Sequence, residues 1–352
     1  MMKAVASRIS STTLQLLIMC GIIFATMSAL RPERFLSIDN FQSIAFQLAE
    51  PGLFTIGMAI TMIACGIDLS IVNTANLVAI VNAFILVRYL PKGASGTEIM
   101  AFVFLCIVLS VVIGALCGAI NGFLVAKLRI LPILVTLGTM NLYMGMGVII
   151  SEGRGIFGFP EELLFIGNGS MLGIPVPLLI FLTALVLLFT LIHRTPFGLK
   201  VMLYGTNQKA AYFSGINTDR TVFRIYVIAG ILGGIAGLLI MARTNSAKAD
   251  YGTTYVLQAL LASVLGGISP TGGRGNIFNV FLALLGLQLL NSGFNFMRIS
   301  SFVSESTYGA LLIAVILAGY VMEKKKQKKL ALQADRAMAG IRQDSGMETK
   351  KL

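Results

Sequence analysis

The stretch 61-TMIACGIDLSIVNTANLVAIV-81 places one acid, Asp68, between two apolar runs. In water such an acid needs no explanation. In a bilayer an ionised carboxylate is costly and therefore rare. The reading of this stretch depends on which solvent surrounds it. The composition answers that: 56% of the 352 residues are hydrophobic and only 12% are charged. A soluble domain carries roughly 25% charged residues. With a mean hydropathy of +0.86, the chain reads as a polytopic, all-α membrane protein rather than a soluble domain or a chain with a single anchor.

A span needs about 20 mostly apolar residues. Ten candidate segments meet or approach this, at 14–30, 51–66, 69–87, 100–126, 131–150, 175–192, 221–241, 254–268, 277–296 and 306–322. Two are short, and Gly-rich turns follow both: ACGIDLS after the second and LGGISPTGGRGN after the eighth. The second and third read as two short spans or one long interrupted element. The expected organisation is an N-terminal segment 1–13, a membrane domain 14–322 and a basic tail 323–352. Lys3 and Arg8 before an apolar run resemble a signal peptide, but no small-residue cleavage site follows, so this reads as an uncleaved first helix.

The net charge of +12 is weighed by location: five lysines crowd EKKKQKK at 323–329. A basic run after the last span is expected on the cytoplasmic side. No basic stripe interleaved with aromatics points to nucleic acid. With both termini inside, 19 Lys and Arg fall on cytoplasmic segments and 8 on external ones. The tail carries most of that bias. The four cysteines, Cys20, Cys65, Cys106 and Cys117, lie in apolar runs without metal spacing and read as small packers.

Several chemistries are missing. A phosphate-cradling loop needs G-x-x-x-x-G-K-[ST], and the chain has no Gly-Lys dipeptide and no Lys followed by Ser or Thr. No G-x-S-x-G, H-E-x-x-H or paired intramembrane acids occur. Asp68 reads as the one clear acid among the spans, and His193 as an interfacial residue beside Arg194. Neither has an evident partner for a proton relay, which weighs against an ion-coupled carrier. What remains is neutral and polar: Asn73, Asn76, Asn82, Thr136, Thr139, Asn141, Gln258, Ser263, Gln288, Asn291 and Asn295. Such groups replace water around a neutral hydroxylated solute, or else join helices to one another. Asp68, Asn73, Asn76, Thr136, Thr139, Asn141, Gln258, Ser263 and Asn291 are the candidates for a translocation pathway.

Two polar loops stand out. Residues 207–215, NQKAAYFSG, read as a short helix capped by Asn207 and stopped by Gly215, with Gln208, Ala210, Ala211 and Ser214 between. It is either a solvated connector or a docking helix for a cytoplasmic partner. The loop SEGRGIFGFPEELLFIGNGS, 151–170, reads as a lid, a docking surface or a loose solvent loop. Gly66, Gly266, Gly267, Gly272 and Gly273, with Arg274, mark the turns where helices break.

Four motifs come in order: GIDLS at 66–70, NGFLVAKLRILPILVTLGTM at 121–140, GTNQKAAYFSGINTDR at 205–220 and VLGGISPTGGRGNIFNV at 264–280. Together they resemble the ribose-type permease family of bacterial ABC importers, over about residues 15 to 325. The resemblance implies a fold of the vitamin-B12-importer kind in the inner membrane. It implies a second permease subunit, a cytoplasmic ATPase that holds ATP and magnesium, and a periplasmic sugar-binding protein. No cofactor is expected in this chain, and 207–216 would be the helix that couples to the ATPase. Where relatives often continue GIDLSVGS, this chain has Ile71, Val72 and Asn73. Related permeases for nucleosides and branched-chain amino acids carry other motifs at that position. Asp68 itself reads as a cap of the following helix, facing its free amides and positive end, or as a residue that lines or gates the path.

Overall fold

The computed structural model describes residues 10–300, 302–317, 321 and 324. The basic tail, residue 324 apart, and residues 1–9 lie outside the described residues. In chain order the helices are α1 (Ser11–Leu30), the single turn α2 (Pro32–Phe35), α3 (Ile38–Ile63), α4 (Ile71–Tyr89), α5 (Gly96–Ala126) and α6 (Pro132–Ser151). There follow α7 (Glu161–Asn168), α8 (Val176–Arg194), α9 (Pro196–Thr206), α10 (Gln208–Phe213), α11 (Thr218–Thr244), α12 (Tyr255–Leu265), α13 (Ile277–Phe296) and α14 (Phe302–Leu317). Among the described residues eight helices are long and apolar enough to cross a membrane, and α12 and α14 are shorter apolar helices. Each of the ten predicted segments therefore holds a helix, the tenth described as far as Leu317. Two antiparallel ladders complete the chain: β1 (Ile156–Phe157) with β4 (Ser246–Ala247), and β2 (Ser170–Met171) with β3 (Ile174–Pro175).

Local chemistry sets many of the helix starts. Ser10 accepts the Thr13 amide, Ser37 that of Asn40, and Ser95 forms a reciprocal capping box with Glu98. Pro132 and Pro196 occupy first-turn positions, where the missing N–H costs nothing. One expectation is corrected. The second span is not short: α3 runs for 26 residues through Pro51. Glu50 and Pro51 imitate a boundary in the sequence. In the fold they lie inside a helix whose neighbours support it, as transmembrane helices allow. The second and third spans are separate helices, joined by the break 64–70.

The core is built around α3, buried over most of its length from Leu48 to Ile63 and enclosed by α8, α11, α12 and α13. Helix α5 crosses α11 with almost nothing between their backbones. A Cβ added at Gly114 would strike the Gly230 carbonyl, and one at Gly118 the Tyr226 carbonyl. In lipid, where apolar side chains gain little by leaving one apolar surface for another, such small-residue seams let backbones approach and dispersion hold them.

Candidate translocation and coupling site

The chain leaves α3 at Ile63, turns at Cys65 with a φ of +62°, and re-enters helix at Ile71. Asp68 is buried in this break. Its Oδ1 accepts the Ser70 amide at 3.0 Å and the Ser70 hydroxyl at 2.6 Å. The Ser70 oxygen in turn accepts Asn121 Nδ2 of α5 at 2.8 Å. The N-cap of α4 is Ser70, with no side-chain capping bond. The capping expectation is thus corrected: Asp68 braces the cap residue and does not reach the first helical amides. Thr136 of α6 fastens the same break, donating to the Ile67 carbonyl at 2.9 Å. Gly66 leaves room for the buried hydroxyl of Tyr226, which has no hydrogen-bond partner among the described residues.

The turn 269–275 packs on this break. Gly272 and Gly273 have φ of +84° and +77°, which only glycine adopts readily. The Gly273 amide donates to the Ile63 carbonyl at 2.9 Å, and the Cys65 thiol to the Thr271 carbonyl at 2.6 Å. Gly205 in α9 completes the contact: a Cβ there would strike both the Ile63 carbonyl and the Gly273 nitrogen. Three segments far apart in sequence thus meet backbone to backbone. Gly267 also has a positive φ, +84°, whereas Gly266 is needed for close approach to Val280. Arg274 is exposed, and its carbonyl accepts from Ser269 at 3.1 Å.

From Gly205 the chain passes within three residues into α10. Asn207 Oδ1 accepts the Ala210 amide at 3.0 Å, and Gly215, at φ +79°, ends the helix with its amide on the Tyr212 carbonyl. Ala211 is buried, while Gln208, Ala210, Ser214 and the rings of Tyr212 and Phe213 are exposed. Phe213 is 84% exposed, an unusual state for so large an apolar side chain. A cleft of about 740 Å³ opens beside α10, lined among others by Cys65, Arg129, Tyr204, Lys209, Tyr212 and Tyr226.

Most of the other polar candidates spend their donors on backbone. Asn73 donates to Met140 O at 2.9 Å, and Asn76 to both Ala249 O and Tyr251 O at 3.0 and 2.8 Å. Thr139 and Ser263 donate to carbonyls in their own helices. Asn82 joins α4 to Ser110 of α5. Gln288 donates to Gln47 of α3 at 3.1 Å. Gln258 is buried and Asn291 half-buried, with no side-chain bond to other described residues. Asn141 also donates to a carbonyl of its own helix, Leu137 O at 2.9 Å, but it differs in lying on the exposed face of α6, between Gly138 and Gly145, both open.

Sequence reasoning missed one pair. Glu50, buried in α3, binds Arg243 at the end of α11 through two bonds, of 2.6 and 2.8 Å. Asp68 is therefore not the one acid within the spans. The signal was an acid and a base, each at the margin of an apolar run, read as loop residues. The 151–170 loop is structured as well. β1 pairs with β4, and Asn168 of α7 donates to the Ala242 and Arg243 carbonyls. His193 accepts the Ile277 amide at the start of α13 at 3.3 Å. Among the described residues no group of His, Cys, Asp and Glu is placed to hold a metal ion.

The geometry is a helical membrane domain with a break between two spans and a capped, exposed helix three residues beyond the Gly205 contact at that break, and comparison with known proteins gives its class, a transport permease. The model of the family described as branched-chain amino acid transport system / permease component matches residues 40–318. The chain is 37% identical over 299 residues to the ribose import permease protein of Bacillus subtilis (strain 168), covering 84% of this chain and 89% of that one. It is 31% identical over 309 residues to the ribose import permease protein of Haemophilus influenzae, covering 87% and 92%. It is also 31% identical over 294 residues to the autoinducer 2 import system permease protein of Photorhabdus temperata, covering 79% and 85%. The chain belongs to this permease family of ABC importers. No solved structure matches it.

Proposed function

We propose that this chain is the translocating subunit of an ATP-driven importer for a ribose-like sugar or a similarly hydroxylated small solute, and has no enzymatic chemistry of its own. The relatives' names support the solute class. The observation that carries the mechanism is the backbone contact of Gly205, Gly273 and Ile63, two residues from α10. Close-packed backbone is hard to compress. A push on α10 therefore reaches the 64–70 break without loss into side-chain rearrangement. In this reading α10 docks on a cytoplasmic ATPase that holds the ATP and magnesium, with Tyr212 and Phe213 as the anchoring rings. The solute passes along the α6 face that carries Asn141, against a second permease subunit, identical or paralogous. A binding protein delivers it at the end that carries α7. Both termini lie on the ATPase side of the bacterial inner membrane.

Uptake into proteoliposomes tests this. Vesicles containing the permease, its copurified ATPase and its binding protein should accumulate sugar only with internal ATP. Uptake driven by a proton or sodium gradient without the ATPase would overturn the proposal and install an ion-coupled carrier in its place.

A further inference from the structure

From Leu163 to Ile192 the chain carries no charged residue. Helix α8 occupies only the second part of that run, from Val176. The part before it holds the β2–β3 hairpin, whose turn is Leu172-Gly173. Both turn residues have positive φ, +54° and +80°. This is the turn that matches strand twist in a tight hairpin, and it favours Asn-Gly or Gly-Gly. A leucine there is strained, and this one is fully exposed. Met171 and Ile174 beside it are exposed too, as is Phe165 on α7. Three large apolar side chains are therefore exposed at one tip, with no charge among them, and Phe165 lies beside Gly169 at the hairpin's base.

The hairpin is joined to α8 without a linker. The Val176 amide, the first of α8, donates to the Gly169 carbonyl at 2.9 Å and closes the base of the hairpin. The 19 residues of α8 span about 28 Å at ~1.5 Å each, close to the ~30 Å thickness of the hydrocarbon layer. The start of α8 therefore lies at the membrane boundary, and a tip four residues earlier lies in the interfacial layer. A surface that waits in water for a soluble partner carries a polar rim around its apolar centre; here Met171 to Pro175 carry no polar side chain, and the exposed Asn168 and Ser170 lie on the α7 side of the tip alone.

We propose that the 170–175 hairpin is a membrane-interface anchor, which inserts Met171, Leu172 and Ile174 among the lipids beside α8 and so fixes the depth of α7, which Asn168 ties to the end of α11. The occupant is the bilayer, by continuity with α8, and not the binding protein or a second copy. The inference does not depend on which solute is carried.

The chain has no tryptophan, so Leu172→Trp creates a single fluorescent reporter. In nanodiscs its emission should be blue-shifted. Lipids brominated on the upper acyl chain should quench it twofold or more, and aqueous iodide should do so only weakly. Strong iodide quenching without a bromolipid effect would place the tip in water and overturn the proposal. So would resistance to both quenchers, which means cover by protein. A spectrum that shifts only on adding the binding protein would assign the tip to that partner instead. If Leu172→Trp folds poorly, Met171→Trp carries the same readout. Adding Leu172→Asn, which suits the positive φ, to the Met171→Trp reporter should cut the bromolipid quenching at least twofold. Unchanged quenching would show that Leu172 does not hold the tip in lipid.

Discussion

Asp68 accepts two hydrogen bonds from one residue, and this sets what its replacement does. Asparagine keeps an acceptor for the Ser70 amide and hydroxyl, whereas leucine leaves both buried and unmatched at a cost of about 1–3 kcal/mol each. Asp68→Leu should therefore melt well below Asp68→Asn in detergent. A stable Asp68→Asn subunit that binds its ATPase but transports nothing would place the negative charge itself in the transport cycle. Glu50 makes a second prediction. Removing one member of a fully buried ion pair costs about 3 kcal/mol, and less here, because the Arg243 side chain is 28% exposed and water reaches it. Glu50→Leu should lower the melting temperature, and adding Arg243→Met should restore much of it. A double variant no better than the single would mean that something other than the pair holds α3 to α11 there. Asp68 was visible in the sequence as an anomaly because both of its neighbours are apolar. Glu50 was not, since its partner is 193 residues away and nothing local joins the two.

At the scale of elements, α10 separates what is local from what is not. Its Asn207 cap and glycine stop were legible, because both operate within a few residues. That Ala211 is buried and Phe213 exposed depends on how α10 lies against the bundle, which a six-residue helix does not encode by periodicity. The difference changes the experiment. A charged residue at Ala211 would damage the subunit's own packing. Phe213→Ala should leave its stability within about 0.5 kcal/mol. If Phe213 anchors the ATPase, its loss costs about 2 kcal/mol of binding, a roughly thirtyfold weaker capture of the ATPase in a pull-down titration. Equal capture by both proteins would remove Phe213 from the interface. The start of α3 was misread for the opposite reason. Pro51 and Glu50 are strong local boundary signals, and tertiary partners override them.

For the whole molecule, the ten hydrophobic segments were readable because a bilayer imposes length and composition on every span. Which helices touch was not readable. The α5–α11 seam and the three-way backbone contact at Gly205 are made by glycines, which have no side chain to advertise a partner. Topology gives the test at this scale. In a background without the four native cysteines, Thr271→Cys and Ser214→Cys should react with an impermeant thiol reagent from one side of the membrane, and Glu161→Cys from the other. All three residues are exposed. Labelling of Thr271→Cys and Glu161→Cys from the same side would break the arrangement of helices between them.

The α5–α11 seam also bears on how the protein is made. Gly118 and Gly230 are about 110 residues apart in the chain. At the usual ~5–20 residues per second of synthesis, α5 waits on the order of 10 s in the membrane before α11 emerges from the ribosome. Throughout that time its notched face has only lipid to fill it, and lipid tails fit a glycine groove poorly. A ribosome stalled after α5 has entered the membrane and before α11 has emerged holds a nascent chain with α5 unpaired. Such a stalled chain should be a preferred substrate of membrane proteases, and one stalled after α11 has also entered the membrane should be spared.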